Sequence, residues 1–169
     1  TGTIIASQTN GTSIGVPIKW DTTSTEPFEQ SGGQTFTLAG MTTLAKLYLV
    51  YGSSTRTFGA GTHQLKLWIG PFSGTSPVLP GHEYIFNLEN MTWTNGTTYA
   101  FDFPDLPLPA GNYAFQIGWT TDDPAHSSFA FLRANGEGDY AGGGRLYSAT
   151  STLPFSSNPA DANDVIDRC

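Results

Sequence analysis

The sequence predicts an all-β domain, an antiparallel two-sheet β-sandwich of jelly-roll type, and three observations carry that expectation. Apolar and polar residues alternate at period two in a series of short segments, the pattern of strands with one buried face. Turn-forming residues separate these segments, with 20 Gly and 11 Pro among 169 residues. Aromatic residues reach 13% while charged residues reach only 12%, against about 25% charged in an average soluble domain. The chain therefore carries the large side chains of a packed core and lacks the Ala, Glu, Lys and Leu enrichment of long helices. No apolar run approaches the ~20 residues of a membrane-spanning helix. The length suits one domain over residues 1–169 on a prior of ~100–200 residues each.

The elements follow in order. Residues 34–38 form a short strand around Phe36 and Leu38. In residues 44–51, Leu47, Leu49 and Tyr51 share a face. In residues 65–69, Leu65, Leu67 and Ile69 face one way, and Lys66 and Trp68 the other. Residues 84–88, 99–103, 113–119 and 128–133 repeat the device. Asn95-Gly96 is a candidate type I′ hairpin pair, since both residues tolerate positive φ. Residues 107–112 are a Pro-rich break, and the glycines of residues 135–144 frame a loop around Tyr140. Lys19-Trp20-Asp21 reads as a loop, and residues 154–169 as either a polar tail or a last strand. Strands at such spacing, with no helical periodicity, suit a sandwich.

Formal net charge is −7. Such a surface repels phosphate backbones, whose recognition depends on Lys and Arg, so nucleic acid and anionic membrane are poor candidate partners, and no membrane insertion is expected. Few Lys and Arg amid much Thr, Ser and Gly suit an extracellular surface. Cys169 is the only cysteine, so no intrachain disulfide is expected; it is either an inert terminal thiol or a point of intermolecular attachment. Thr1 is not an initiator Met, which reads as a mature or excised module.

Residues 108–119, with Leu108-Pro109-Ala110-Gly111-Asn112-Tyr113 leading into Phe115 and Trp119, and Phe131-Leu132-Arg133 followed by Tyr140-Ala141-Gly142-Gly143, resemble jelly-roll repeat domains of bacterial surface and sorted extracellular proteins. Those domains are similar to the galactose-binding-like fold of many carbohydrate-binding modules. The resemblance covers roughly residues 30–148. It implies a domain that binds glycans or is appended to a larger envelope protein. It further implies one structural calcium between an N-terminal loop and the last strand, with Asp21 or Glu26 joining Asp161 or Asp164. Read by itself, the oxygen-rich cluster of Asp161, Asn163, Asp164 and Asp167 suits calcium but lacks the glycine of an EF-hand loop.

Catalytic chemistry finds little footing. There is no Gly-x-Ser-x-Gly elbow, and His63, His82 and His126 all lie in loops beside Gly, Pro or Ser. Asp102/Asp105 and Asp122/Asp123 are close in sequence but adjoin Pro-containing turns, where Asp is common for backbone reasons. The resemblance extends to jelly-roll polysaccharide lyases, for which Gln116, Arg133 and Tyr140 are matching residue types, but their Gln-x-His strand element is missing. No Cys or His spacing suits zinc. Sequons stand at Asn10, Asn90 and Asn95, and carry weight only in a eukaryotic source.

Aromatic residues are the strongest functional signal, because sugar rings stack their apolar faces on indole and phenol rings. Trp68 on the polar face of its strand, Trp93 near the Asn95-Gly96 turn, Tyr140 in its Gly-rich loop and Trp20 are the candidate platform, with Arg133 and Gln116 as polar contacts. Trp119, on the face of Phe115 and Ile117, is expected in the core. The first expectation is a non-catalytic, extracellular module that binds a polysaccharide. The alternative is a structural subunit of an adhesin, filament or surface layer that pairs with copies of itself, the segment 1–16 serving as a donated strand. A lyase or hydrolase ranks third.

Overall fold

The computed structural model describes residues 15–21, 28–60, 64–120, 129–132 and 145–156. Every regular element among them is a strand: β1 (Gly15–Asp21), β2 (Phe28–Leu38), β3 (Thr42–Val50), β4 (Arg56–Thr57), β5 (Gln64–Ser73), β6 (Ser76–Pro77), β7 (His82–Asn87), β8 (Thr92–Trp93), β9 (Thr98–Leu108), β10 (Gly111–Trp119), β11 (Phe129–Leu132) and β12 (Arg145–Ser148). All pairings are antiparallel. The largest sheet runs β11-β1-β2-β10-β5-β6, with β12 also on β2 and β7 also on β5. β3 pairs with β9, and β4 with β8. Strand β1 changes partner along its length: residues 15–18 pair with β11 and residues 19–21 with β2, which curls the sheet.

Period two decides which side chains go where. On one face of the main sheet Leu65, Leu67 and Ile69 of β5, Tyr113, Ile117 and Trp119 of β10, and Phe36 and Leu38 of β2 enter a single large core. The β3–β9 pair adds Phe101, Phe103, Leu106 and Leu108 to that core, with Leu44, Leu47 and Leu49 packed against it. Tyr84 of β7 stacks on Phe103 with ring centroids 4.9 Å apart, and Phe86 meets Phe101 edge-on at 5.1 Å. As expected, Trp119 is in the core, where its indole N–H donates to the Ile18 carbonyl.

Four departures from the sequence expectation have physical causes. Lys19-Trp20-Asp21 is strand rather than loop, because these residues pair with Gln30, Glu29 and Phe28. Gly15 and Val16, expected at the end of a donated segment, pair within the chain with Leu132 and Phe131; residues 1–14 lie outside the described residues. Strand β9 continues through Pro104 and Pro107 to Leu108, and among the described residues it pairs with β3 alone, so its prolines cost no second ladder. Finally, Asn95-Gly96 closes no β8–β9 hairpin, since β8 pairs with β4. Thr97 N–H donates to the Thr94 carbonyl and only Gly96 has positive φ, 82°, the pattern of a type II turn rather than type I′.

Candidate functional site

The second face of the main sheet, opposite the large core, is built from alternate residues of the same three strands. Register sets Trp68 of β5 beside Gln116 of β10, Gln116 beside Gly33 of β2, and Gly33 beside Leu146 of β12. Flanking rows hold Gly70 beside Ala114, and Gly118 beside Lys66. Trp68, Phe72, Ala114 and Leu146 pack together on this face and line the trough that another part of the chain covers. A Cβ on Gly118 would lie 2.6 Å from the Ser31 hydroxyl, and one on Gly70 would lie 2.5 Å from the Trp68 ring. Gly81, at φ 65°, closes on the same indole, whose N–H donates to the Pro80 carbonyl at 3.0 Å.

Residues 149–156 fill this trough as an irregular strap. Gln116 is fully buried and grips one residue of it twice: its amide N–H donates to the Phe155 carbonyl, and its amide oxygen accepts from the Phe155 N–H, each at 2.8 Å. The Ser31 hydroxyl donates to the Thr150 carbonyl at 2.6 Å. Glu29 Oε2 accepts from both the N–H and the hydroxyl of Ser151, at 2.8 and 2.7 Å. Leu153 and Phe155, two positions apart, join Trp68, Phe72, Ala114 and Leu146 in a second buried cluster. Backbone groups are thus satisfied by side chains of the sheet, and apolar anchors sit in the trough.

A further concentration of chemistry lies where β4 and β8 meet the large core. Trp93 stacks on Tyr99 with centroids 3.9 Å apart and planes 11° apart, and Tyr51 and Phe58 meet it edge-on. The buried guanidinium of Arg56 lies over the Phe58 ring at 4.3 Å and over Trp119 at 5.3 Å, a cation–π arrangement that offsets part of its desolvation. Burial raises the Tyr51 hydroxyl above its ordinary pKa, and that hydroxyl donates to the Ser54 carbonyl. On the outward face of β3–β9, Tyr48 is 57% exposed. Two residues away, the Lys46 ammonium pairs with Asp102 at 3.1 Å, and hydrogen bonding to that carboxylate lifts the lysine above its usual range.

Of the residues expected to form the platform, only some are described, and those are interior. Trp68 does face away from Leu65, Leu67 and Ile69, but the strap covers that face and leaves the indole 1% exposed. Trp93 is 2% exposed, stacked inside the core rather than presented on a turn. Gln116 is fully buried, and Phe155 takes both ends of its amide. Trp20 and Asp21 have their backbone in β1, and their side chains lie outside the described residues. Tyr140, Arg133, Glu26, Asp161 and Asp164 also lie outside them. Among the described residues no group of three or more His, Cys, Asp or Glu is placed to hold a metal ion. Asp102 and Asp105 are both exposed on β9, with Asp102 engaged by Lys46.

The strap and its receptors Glu29 and Ser31 were missed, as was Arg56. One signal was in view: Gln116 is the lone polar side chain of residues 113–119. A strand apolar on both sides is covered on both sides, and a buried amide there needs partners. No protein-family model matches the chain, no curated protein matches it, and no solved structure matches it.

Replacing Gln116 by Ala leaves a buried N–H and a buried carbonyl of Phe155 without partners, at about 1–3 kcal/mol each. Urea unfolding of Gln116→Ala is expected to show about 2–5 kcal/mol of lost stability. Gln116→Glu, equal in shape but with no N–H to donate, is expected to lose a comparable amount at pH 7. A change below about 0.5 kcal/mol in either variant would contradict the clamp.

Proposed function

We propose that this chain is a non-catalytic, extracellular structural module, a jelly-roll-type sandwich that pairs with copies of itself in a surface assembly. One observation carries the reading. The indoles of Trp68, Trp93 and Trp119 are all buried, so the aromatic excess holds the fold together instead of lining a sugar platform among the described residues. Strand edges support it as well. β7 pairs with β5 on one side and with no other strand among the described residues. Such an edge offers unpaired N–H and carbonyl groups to a neighbouring strand. Ile85 on β7, with Val78 and Leu79 just before it, adds exposed apolar surface, and the low charge fraction of 12% provides little electrostatic protection.

A second reading, glycan binding, is favoured by a different residue from those expected. Tyr48 presents its ring on the outer face of β3, opposite the small Ala100. The adjacent Lys46–Asp102 pair offers a donor and an acceptor to ring hydroxyls. One exposed ring with flanking polar groups is the minimum for weak sugar stacking.

Light scattering on size-exclusion fractions over a hundredfold concentration range, followed by electron microscopy, tests the first reading. Oligomers or filaments that grow with concentration are expected, and a monomer throughout would overturn it. The glycan reading is tested by affinity electrophoresis in soluble polysaccharides. Retardation by one polysaccharide that disappears in Tyr48→Ala is expected, and no retardation by any would remove it.

A further inference from the structure

The strap has the contacts of a bound peptide. Its recognition is almost wholly through backbone: the carbonyl of Thr150, the N–H of Ser151, and the N–H and carbonyl of Phe155 meet Ser31, Glu29 and Gln116. Only the Ser151 hydroxyl adds a side-chain contact to Glu29. Leu153 and Phe155 are alternate residues whose side chains are both buried. Receptors for peptides combine hydrogen bonds to the peptide backbone with pockets for particular side chains, and both are present here. Ahead of the strap, β12 adds four residues paired with β2.

Chain length permits the same contacts between molecules. Twelve residues, 133–144, separate the end of β11 from the start of β12, and five of them are Gly. Fully extended, they span up to ~40 Å at ~3.3–3.6 Å per residue, more than the ~17–20 Å length of an ordinary strand. Exchange of an identical element needs no new interface, because every bond lost within one molecule is remade between two.

We propose that residues 145–156 are an exchangeable element, and that the trough formed by Trp68, Phe72, Ala114 and Gln116 receives the strap of a second copy. This rests on the assembly reading and names its contact, moving the donated segment from the N-terminal residues 1–16 to the C-terminal strap. The occupant is a second copy because the only sequence known to fit the trough is this chain's own. Neighbouring molecules compete with the tether only at high local concentration, as in a surface assembly, so dilute protein keeps its strap to itself.

Complementation between two full-length variants tests the exchange. Leu153→Ala/Phe155→Ala keeps the receiving trough but has a defective strap, while Gln116→Ala keeps the strap but has a defective trough. Alone, each is expected to stay a monomer of about 18.1 kDa; mixed, they are expected to form a one-to-one dimer of twice that mass. If folded variants stay monomeric when mixed, the proposal is overturned. Should near-ultraviolet circular dichroism show either variant unfolded, the unmodified chain decides. A peptide of residues 149–156, added in hundredfold excess, is expected to reduce its oligomer fraction at least tenfold, and an unchanged fraction would overturn the exchange. Assembly that persists in folded Gln116→Ala defeats the exchange but leaves the assembly reading intact. Monomers of the unmodified chain at every concentration defeat the assembly reading, while a dimer of the two variants would still establish exchange.

Discussion

The amide of Gln116 is the central fastening of the second face of the main sheet, with Ser31, Glu29 and two apolar anchors beside it. Gln116 sits at the centre of β10, the strand flanked by both β2 and β5, and is fully buried. Leaving a side-chain amide in such a place without partners costs several kcal/mol. The Phe155 N–H and carbonyl satisfy both of its ends, and this pairing requires residues 149–156 to lie across the sheet. Once they do, Leu153 and Phe155 cover Trp68 and Phe72, and the face becomes apolar interior. Gly118 and Gly70 belong to the same constraint, because a side chain at either would meet Ser31 or the Trp68 ring.

That closure changes what the aromatic residues do. An uncovered second face would present the Trp68 ring and the Gln116 amide side by side, the combination expected of a sugar site. Covered, both are interior, while Tyr48 and the edge of β7 are exposed among the described residues. Arg56, which lies over Phe58 and Trp119, serves the interior too.

Much of the large core was legible from alternation alone. Leu65, Leu67 and Ile69 share a face by their spacing, as do Ile117 and Trp119, and all five are buried in one cluster. The opposite face was not legible, for two reasons. Lys66 beside Trp68 makes that side of β5 read as solvent-facing, and the segment that covers it is short and irregular, so periodicity says nothing of its docking. Register across strands distant in sequence places Gln116 against Gly33, and the clamp joins residues 39 apart; a single sequence carries no local signal for either. Trp93 was misplaced because a turn signal at Asn95-Gly96 implied a hairpin, whereas β8 pairs with β4, and Tyr99 takes the indole face. Of the expected site, Trp68, Trp93 and Gln116 are interior, and the others lie outside the described residues or, for Trp20 and Asp21, are described in backbone only.

Gln116 accepts the bond of the Phe155 N–H at the centre of the second face, so that amide proton is the most direct reporter of its closure. Native-state hydrogen exchange of that one amide measures the free energy needed to lift the strap. Protection well above that of an exposed loop is expected, because both Gln116 bonds to Phe155 must break before that amide meets water. Exchange at the rate of an exposed loop would contradict the clamp and return Trp68 to the surface.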